Sequence, residues 1–181
     1  MIAADPGDLR RAPDFAEAIE TWRVWRVVLD DGRYKLSSVF KPALWEPGEA
    51  VSANCLRSSL VPGWLRRRPR HEAPEESCEC GIYGAGLDQL SQYLAGVHMH
   101  PTLVRVLGRV SLWGTVIECE RGFRASFAYP LHVYVPLDAG GRDTPPAEKL
   151  ARTLGDYGVP VELLYARGVE AARVLARRQL V

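Results

Sequence analysis

Four side chains between positions 55 and 80 carry the most specific chemistry in the sequence. Cys55, His71, Cys78 and Cys80 stand in the spacing Cys-x15-His-x6-Cys-x-Cys. Three thiolates and an imidazole suit zinc, which takes sulfur and nitrogen donors in tetrahedral geometry. A [2Fe–2S] cluster is the alternative occupant, since it too accepts thiolate and imidazole ligands. The spacing is not that of a zinc finger or ribbon, whose paired cysteines are two residues apart. Cys-x-Cys needs a tighter turn, and Gly81 directly after Cys80 supplies backbone freedom for one. Four protein ligands leave no open coordination position, so the expected site is structural rather than catalytic. The plainer readings are buried cysteines beside a surface histidine, or a redox or disulfide-forming Cys-x-Cys. Cys119 stands apart and is expected as a small core residue.

Three weaker constellations accompany this one. Arg66, Arg67, Arg68 and Arg70 lie just before His71, with Trp64 beside them. Such a run can bind phosphates, and the indole can stack on a base. The competing reading is a solvated surface loop, favoured by the absence of a second basic cluster. Arg124 sits in the apolar stretch Phe123–Tyr129, where it would pair with Glu118 across the turn or, with Tyr129, line an anion-binding pocket. His98 and His100 flank Met99 and are expected to cap carbonyls or face solvent rather than chelate.

The elements that must position these residues form an α+β pattern. Residues 1–12 read as a flexible tail, and 13–181 as one α+β domain containing the zinc site. A short helix is expected from Pro13, with Phe15, Ala18, Ile19 and Trp22 on one face. Trp22 to Leu29 reads as a strand, Asp30-Asp31-Gly32 as a turn, and Tyr34 to Phe40 as the returning strand. Residues 41–80 hold most of the ligands and no clear element, which suggests a segment ordered by metal. A helix follows over 87–97. Val104 to Ile117 reads as a strand, with Gly108 and Gly114 marking a bulge or a close backbone approach. Glu120-Arg121-Gly122 turns it into Phe123–Tyr129, and His132–Val135 is expected as a further strand beyond Pro130. Thr144 and Pro145 would start a helix with Ala147, Leu150, Ala151 and Leu154 as its stripe, ended by Gly158 and Pro160. A short strand over 159–165 and a helix over 168–180 complete an antiparallel sheet with flanking helices.

The composition is that of an ordinary soluble protein. The 181 residues are 47% hydrophobic and 25% charged, with a net charge of +1 that gives no general pull toward nucleic acid or membrane. No basic-then-apolar leader opens the chain and no apolar run could span a bilayer, so a cytoplasmic location is expected. There, cysteines are expected free or metal-bound. Four of the five tryptophans are expected in the core, with Trp64 the likeliest exception.

The phrase Cys78-Glu79-Cys80-Gly81-Ile82-Tyr83, then Leu112-Trp113-Gly114-Thr115-Val116, then Gly122-Phe123-Arg124-Ala125 with Ala128-Tyr129-Pro130, resembles a family of uncharacterised bacterial proteins. Its pattern is C-x-C-G-[I/L]-[Y/H], L-W-G-x-V and G-[Y/F]-R-A-x-x-A-Y-P, over roughly residues 45–165. The resemblance implies that the four ligands act as one unit and names no activity. The expected function is therefore a zinc-stabilised binding or adaptor domain with a protein partner. The alternatives are an enzyme with a pocket near Arg124 and Tyr129 and a structural zinc, or a nucleic-acid-associated protein using Trp64 and the arginine run. No nucleotide loop, G-x-S-x-G elbow or H-E-x-x-H helix is present.

Overall fold

The computed structural model describes residues 18–40, 43–55, 71–95, 104–137 and 145–179. Eight strands make one sheet: β1 (Ile19–Asp30), β2 (Arg33–Ser38), β3 (Leu44–Trp45), β4 (Val51–Ser52), β5 (Ile82–Ala85), β6 (Val104–Cys119), β7 (Gly122–Pro136) and β8 (Val161–Leu164). Three helices accompany it: α1 (Leu90–Ala95), α2 (Ala147–Leu154) and α3 (Gly168–Arg178). Every strand pairing is antiparallel except that of β8 with β7.

β1 is apolar on both faces, which makes it a central strand rather than half of an amphipathic layer. Trp25 and Val27 join the core beneath α2, whose buried stripe is Ala147, Leu150 and Leu154. Trp22 and Val24 join a second core with Leu90, Leu94, Ala171, Ala172 and Leu175 of α1 and α3. Ile19 and Trp22 thus belong to a strand, not to the helix their spacing suggested; residues before 18 lie outside the described ones. Asp31 and Gly32 both take positive φ, 47° and 76°, as a two-residue hairpin turn requires.

β6 and β7 form the long hairpin that carries the rest. Gly108 lies against β7 so closely that a Cβ there would stand 1.9 Å from the His132 carbonyl oxygen. Gly114, with φ of 79°, falls where the register shifts between Trp113 and Val116. Pro130 does not end a strand. A second register shift, between Arg109 and Val110, accommodates it, and β7 runs unbroken to Pro136.

Two further expectations change. Helix α2 begins at Ala147 with Pro146 at the capping position, and Thr144 lies outside the described residues. Trp22, Trp25 and Trp45 are buried, whereas Trp113 is half-buried and stacks on Phe127 at 6.1 Å. No helix among the described residues is long and apolar enough to cross a membrane.

The pairings close on themselves: β1 pairs β6, β6 pairs β7, β7 pairs β5, and β5 returns to β1 through Trp22 and Ala85. β2 takes the same edge of β1 from Trp25 onward. That edge therefore forks, with β5 on one side and β2 on the other.

Candidate metal centre

Cys55 follows β4, and the backbone between them is tied to β7 by Ala53 N–H donating to Ser126 O at 2.7 Å. His71, Cys78 and Cys80 lie in the irregular segment that leads into β5. One turn of that segment is closed by Cys78 N–H donating to Glu75 O at 3.0 Å. Gly81, with φ of 125°, joins Cys80 to β5. A Cβ at Gly81 would stand 3.1 Å from Cβ atoms of both Arg124 and Pro74, so glycine answers both the backbone angle and the space.

These segments bring together the four side chains singled out by residue type. Their ligand atoms all lie within 4.8 Å of one another. Cys55 Sγ and Cys78 Sγ are 3.8 Å apart, and Cys80 Sγ and His71 Nε2 are 3.4 Å apart. Around a tetrahedral zinc with sulfur at about 2.3 Å and nitrogen at about 2.0–2.1 Å, those edges would be about 3.8 and 3.5 Å. The cluster could hold a metal ion such as zinc. All four cysteines of the chain are free, and 3.8 Å is far beyond a disulfide bond of about 2.05 Å.

Arg124 organises this turn from beneath. It is 6% exposed, and its guanidinium donates to the carbonyls of Cys78, Cys80 (3.0 Å) and Glu76 (3.3 Å). The expected partner, Glu118, is not opposite it: Arg124 faces Ile117, and Glu118 faces Phe123. The guanidinium thus binds main-chain carbonyls rather than a carboxylate. Three thiolates around Zn²⁺ would sum to −1, and this buried cation would lie beside that charge.

The thiols differ in their proton affinity. The backbone N–H of Cys80 leads a set of hydrogen bonds that lowers the pKa of Cys78 to about 7. Burial pushes the Cys80 thiol up, and the neighbouring Cys78 adds to that.

The other sequence candidates fall elsewhere. Tyr129 donates its hydroxyl to Tyr157 O (2.8 Å) and accepts from Gly48 N–H (2.7 Å), a role that ties loops together. Cys119 is half-buried rather than a core residue. Trp64, Arg66, Arg67, Arg68, Arg70, His98 and His100 lie outside the described residues.

One feature was not anticipated from the sequence. A groove of about 820 Å³ occupies the fork between β5 and β2. Neither Arg124 nor Tyr129 lines it; Arg23, Phe40, Tyr83, Tyr93, Cys119 and Phe123 do. Tyr83, Gly84 and Ala85 form part of its wall, so the strand that leaves the cysteine turn also shapes the groove. The available signal was Arg23 itself, a charge inside the apolar run Trp22–Leu29. Comparison with protein-family models, curated proteins and solved structures gives no match.

Proposed function

We propose that this chain is a zinc-clasped binding module. The observation that supports it best is the cluster of Cys55, His71, Cys78 and Cys80, whose ligand atoms lie within 4.8 Å of one another and two of whose edges, 3.8 and 3.4 Å, suit a four-coordinate zinc site. A set of four ligands serves structure: zinc here would pin the end of β4 to the turn that begins β5. The work of the module then falls to the groove beside β5. Its size lies within the range of about 300–1,000 Å³ typical of small-molecule sites. We read its ligand as a small molecule, where the sequence alone suggested a protein partner.

Native mass spectrometry of protein purified without chelator tests the clasp. One zinc per chain is expected, lost in the Cys78→Ser variant. Metal-free protein from zinc-supplemented growth, with a melting temperature that does not respond to added zinc, would overturn the reading.

A further inference from the structure

Arg23 is a cation that ties Tyr83 of β5 to Ser38 of β2 across the fork and leaves its charge without a carboxylate. It projects from β1 at the fork, half-buried, and lines the groove. Its guanidinium donates to Tyr83 O and to Ser38 Oγ (3.0 Å), both neutral acceptors. Its Nε is buried without a hydrogen-bond partner. No carboxylate among the described residues pairs with it, although Glu79 and Glu120 line the same groove. The guanidinium carbon lies 5.1 Å from the centre of the Trp45 ring, a favourable but small compensation for lost water. Burial lowers its pKa to about 10, the Tyr93 phenol acting in the opposite sense, so it is a cation at neutral pH.

Two more guanidinium groups stand nearby, outside the groove lining. Arg26 and Arg105 are directly opposite each other on β1 and β6, an arrangement that is destabilising for like charges. Arg26 donates to Ser38 O (3.2 Å) and Arg105 to Tyr93 O. Ser38 and Tyr93 line the groove. Arg105 also has a buried, unpartnered Nε. Arg23 alone of the three lines the groove; Arg26 and Arg105 donate to main-chain carbonyls of the groove residues Ser38 and Tyr93, and no carboxylate among the described residues pairs with any of the three. Buried charge without a partner is costly, and sites that must receive an anion are where such charge is retained.

The walls define the rest of the ligand. Trp22, Phe40, Tyr83, Tyr93 and Phe123 give them aromatic surface, beside aliphatic Val24, Val39, Ile82 and Leu90 and the charged Glu79, Glu120 and Arg121. Phe40 is 78% exposed and meets Tyr93 edge-on at 5.8 Å, forming an apolar lip. We infer that the groove binds a small carboxylate with an apolar body, its carboxylate on the Arg23 Nη groups, which reach the groove residues Tyr83 and Ser38, and its body along the apolar wall. A guanidinium edge offers a carboxylate parallel N–H donors, which gives direction as well as strength. The inference deepens the binding-module reading, but it rests on Arg23 and not on the metal.

The test uses purified full-length chain, with its zinc content measured in every sample. Octanoate and 4-phenylbutyrate are titrated by calorimetry against octan-1-ol and 4-phenylbutan-1-ol, which keep the body and lose the charge, and against inorganic phosphate. Each acid is expected to bind at least about tenfold tighter than its alcohol, a difference of about 1.4 kcal/mol. Phosphate should bind more weakly than either acid. Arginine-side-chain NMR on the wild type should show the Arg23 guanidinium N–H signals moving with the acids and not with the alcohols. Arg23→Gln should close the gap between acid and alcohol while alcohol affinity stays within about twofold, and Arg23→Lys should keep part of the gap. If Arg23→Gln does not fold, the wild-type comparison and the NMR shift decide alone. Equal binding of acid and alcohol, tighter binding of phosphate, a gap that survives Arg23→Gln, or no binding of either acid at millimolar concentration would overturn the inference. Any of those results in protein carrying one zinc per chain leaves the clasp standing; the same result in protein that takes up no zinc removes both.

Discussion

Arg124→Met separates a clasp held by its metal alone from one that the fold shapes in advance. The substitution keeps much of the side-chain volume and removes the donors to Glu76, Cys78 and Cys80. A hydrogen bond from a charged donor contributes about 1.5–3 kcal/mol net, so three independent ones would total about 5–9 kcal/mol. They are not independent, because one guanidinium makes all three and its removal also relieves the burial of an unpaired cation. Breaking a buried charged network of this kind typically costs about 3–5 kcal/mol. At about 2–4 °C per kcal/mol for a chain of this size, the melting temperature should fall by about 6–20 °C. Differential scanning calorimetry of zinc-loaded and chelated protein is the assay. The loss should be larger with zinc, because the metallated cluster would carry a full charge of −1 beside Arg124, whereas near pH 7 the metal-free cluster carries only a partly ionised Cys78. Arg124→Lys should recover less than half, since a point charge cannot serve three carbonyls as a planar fork does. A zinc-loaded Arg124→Met protein melting within about 2 °C of wild type would refute the reasoning, because a shift that small corresponds to at most about 1 kcal/mol.

Other expectations follow from the same geometry. Cys78→Ser should remove the bound zinc and lower the melting temperature markedly, while Cys119→Ser, changing a half-buried thiol outside the cluster, should leave metal content unaltered and stability nearly so; plasma emission spectroscopy and thermal melts check both. In metal-free protein the depressed Cys78 pKa stabilises the fold above the unfolded thiol's ordinary value of 9.0, and that contribution is lost as pH falls through about 7. Chelated wild type should therefore gain stability from pH 7 to 9 through Cys78, a gain that Cys78→Ser should abolish in urea titrations. Tyr157→Phe should cost about 1–3 kcal/mol, read as a lower urea midpoint, because the buried hydroxyl accepts from Leu36 N–H (2.8 Å) and donates to Trp45 O.

The clustering of Cys55, His71, Cys78 and Cys80 was legible in the sequence because side-chain type alone restricts what cysteine and histidine can do together. The 30–32 turn was legible for a similar reason, since few residues tolerate two successive positive φ values. β1 was harder. A strand with a core on each face loses the alternation that marks strands, and Ile19 and Trp22 then imitate helical spacing. Pro130 looked like a strand end because the bulge that houses it depends on the partner strand. Arg124 misled in a different way: its acceptors are carbonyls of a distant turn, and no sequence pattern encodes a main-chain acceptor. The groove escaped notice because it arises from a fork between strands that are far apart in the chain.

The two cores share one sheet, and this bears on how the molecule opens. β6 supplies Val104, Val106, Val110 and Leu112 to one face and Leu107 to the other; β7 supplies Val133 and Val135 to the first, with Tyr134 packed against the second. Neither helical layer can leave without exposing the hairpin to water on that side. Unfolding should therefore be a single cooperative event for these strands rather than a peeling of layers. Amide hydrogens near 106–112 and 133–135 should exchange only through global opening, whereas those of the two-residue strands β3 and β4 should exchange through small local fluctuations.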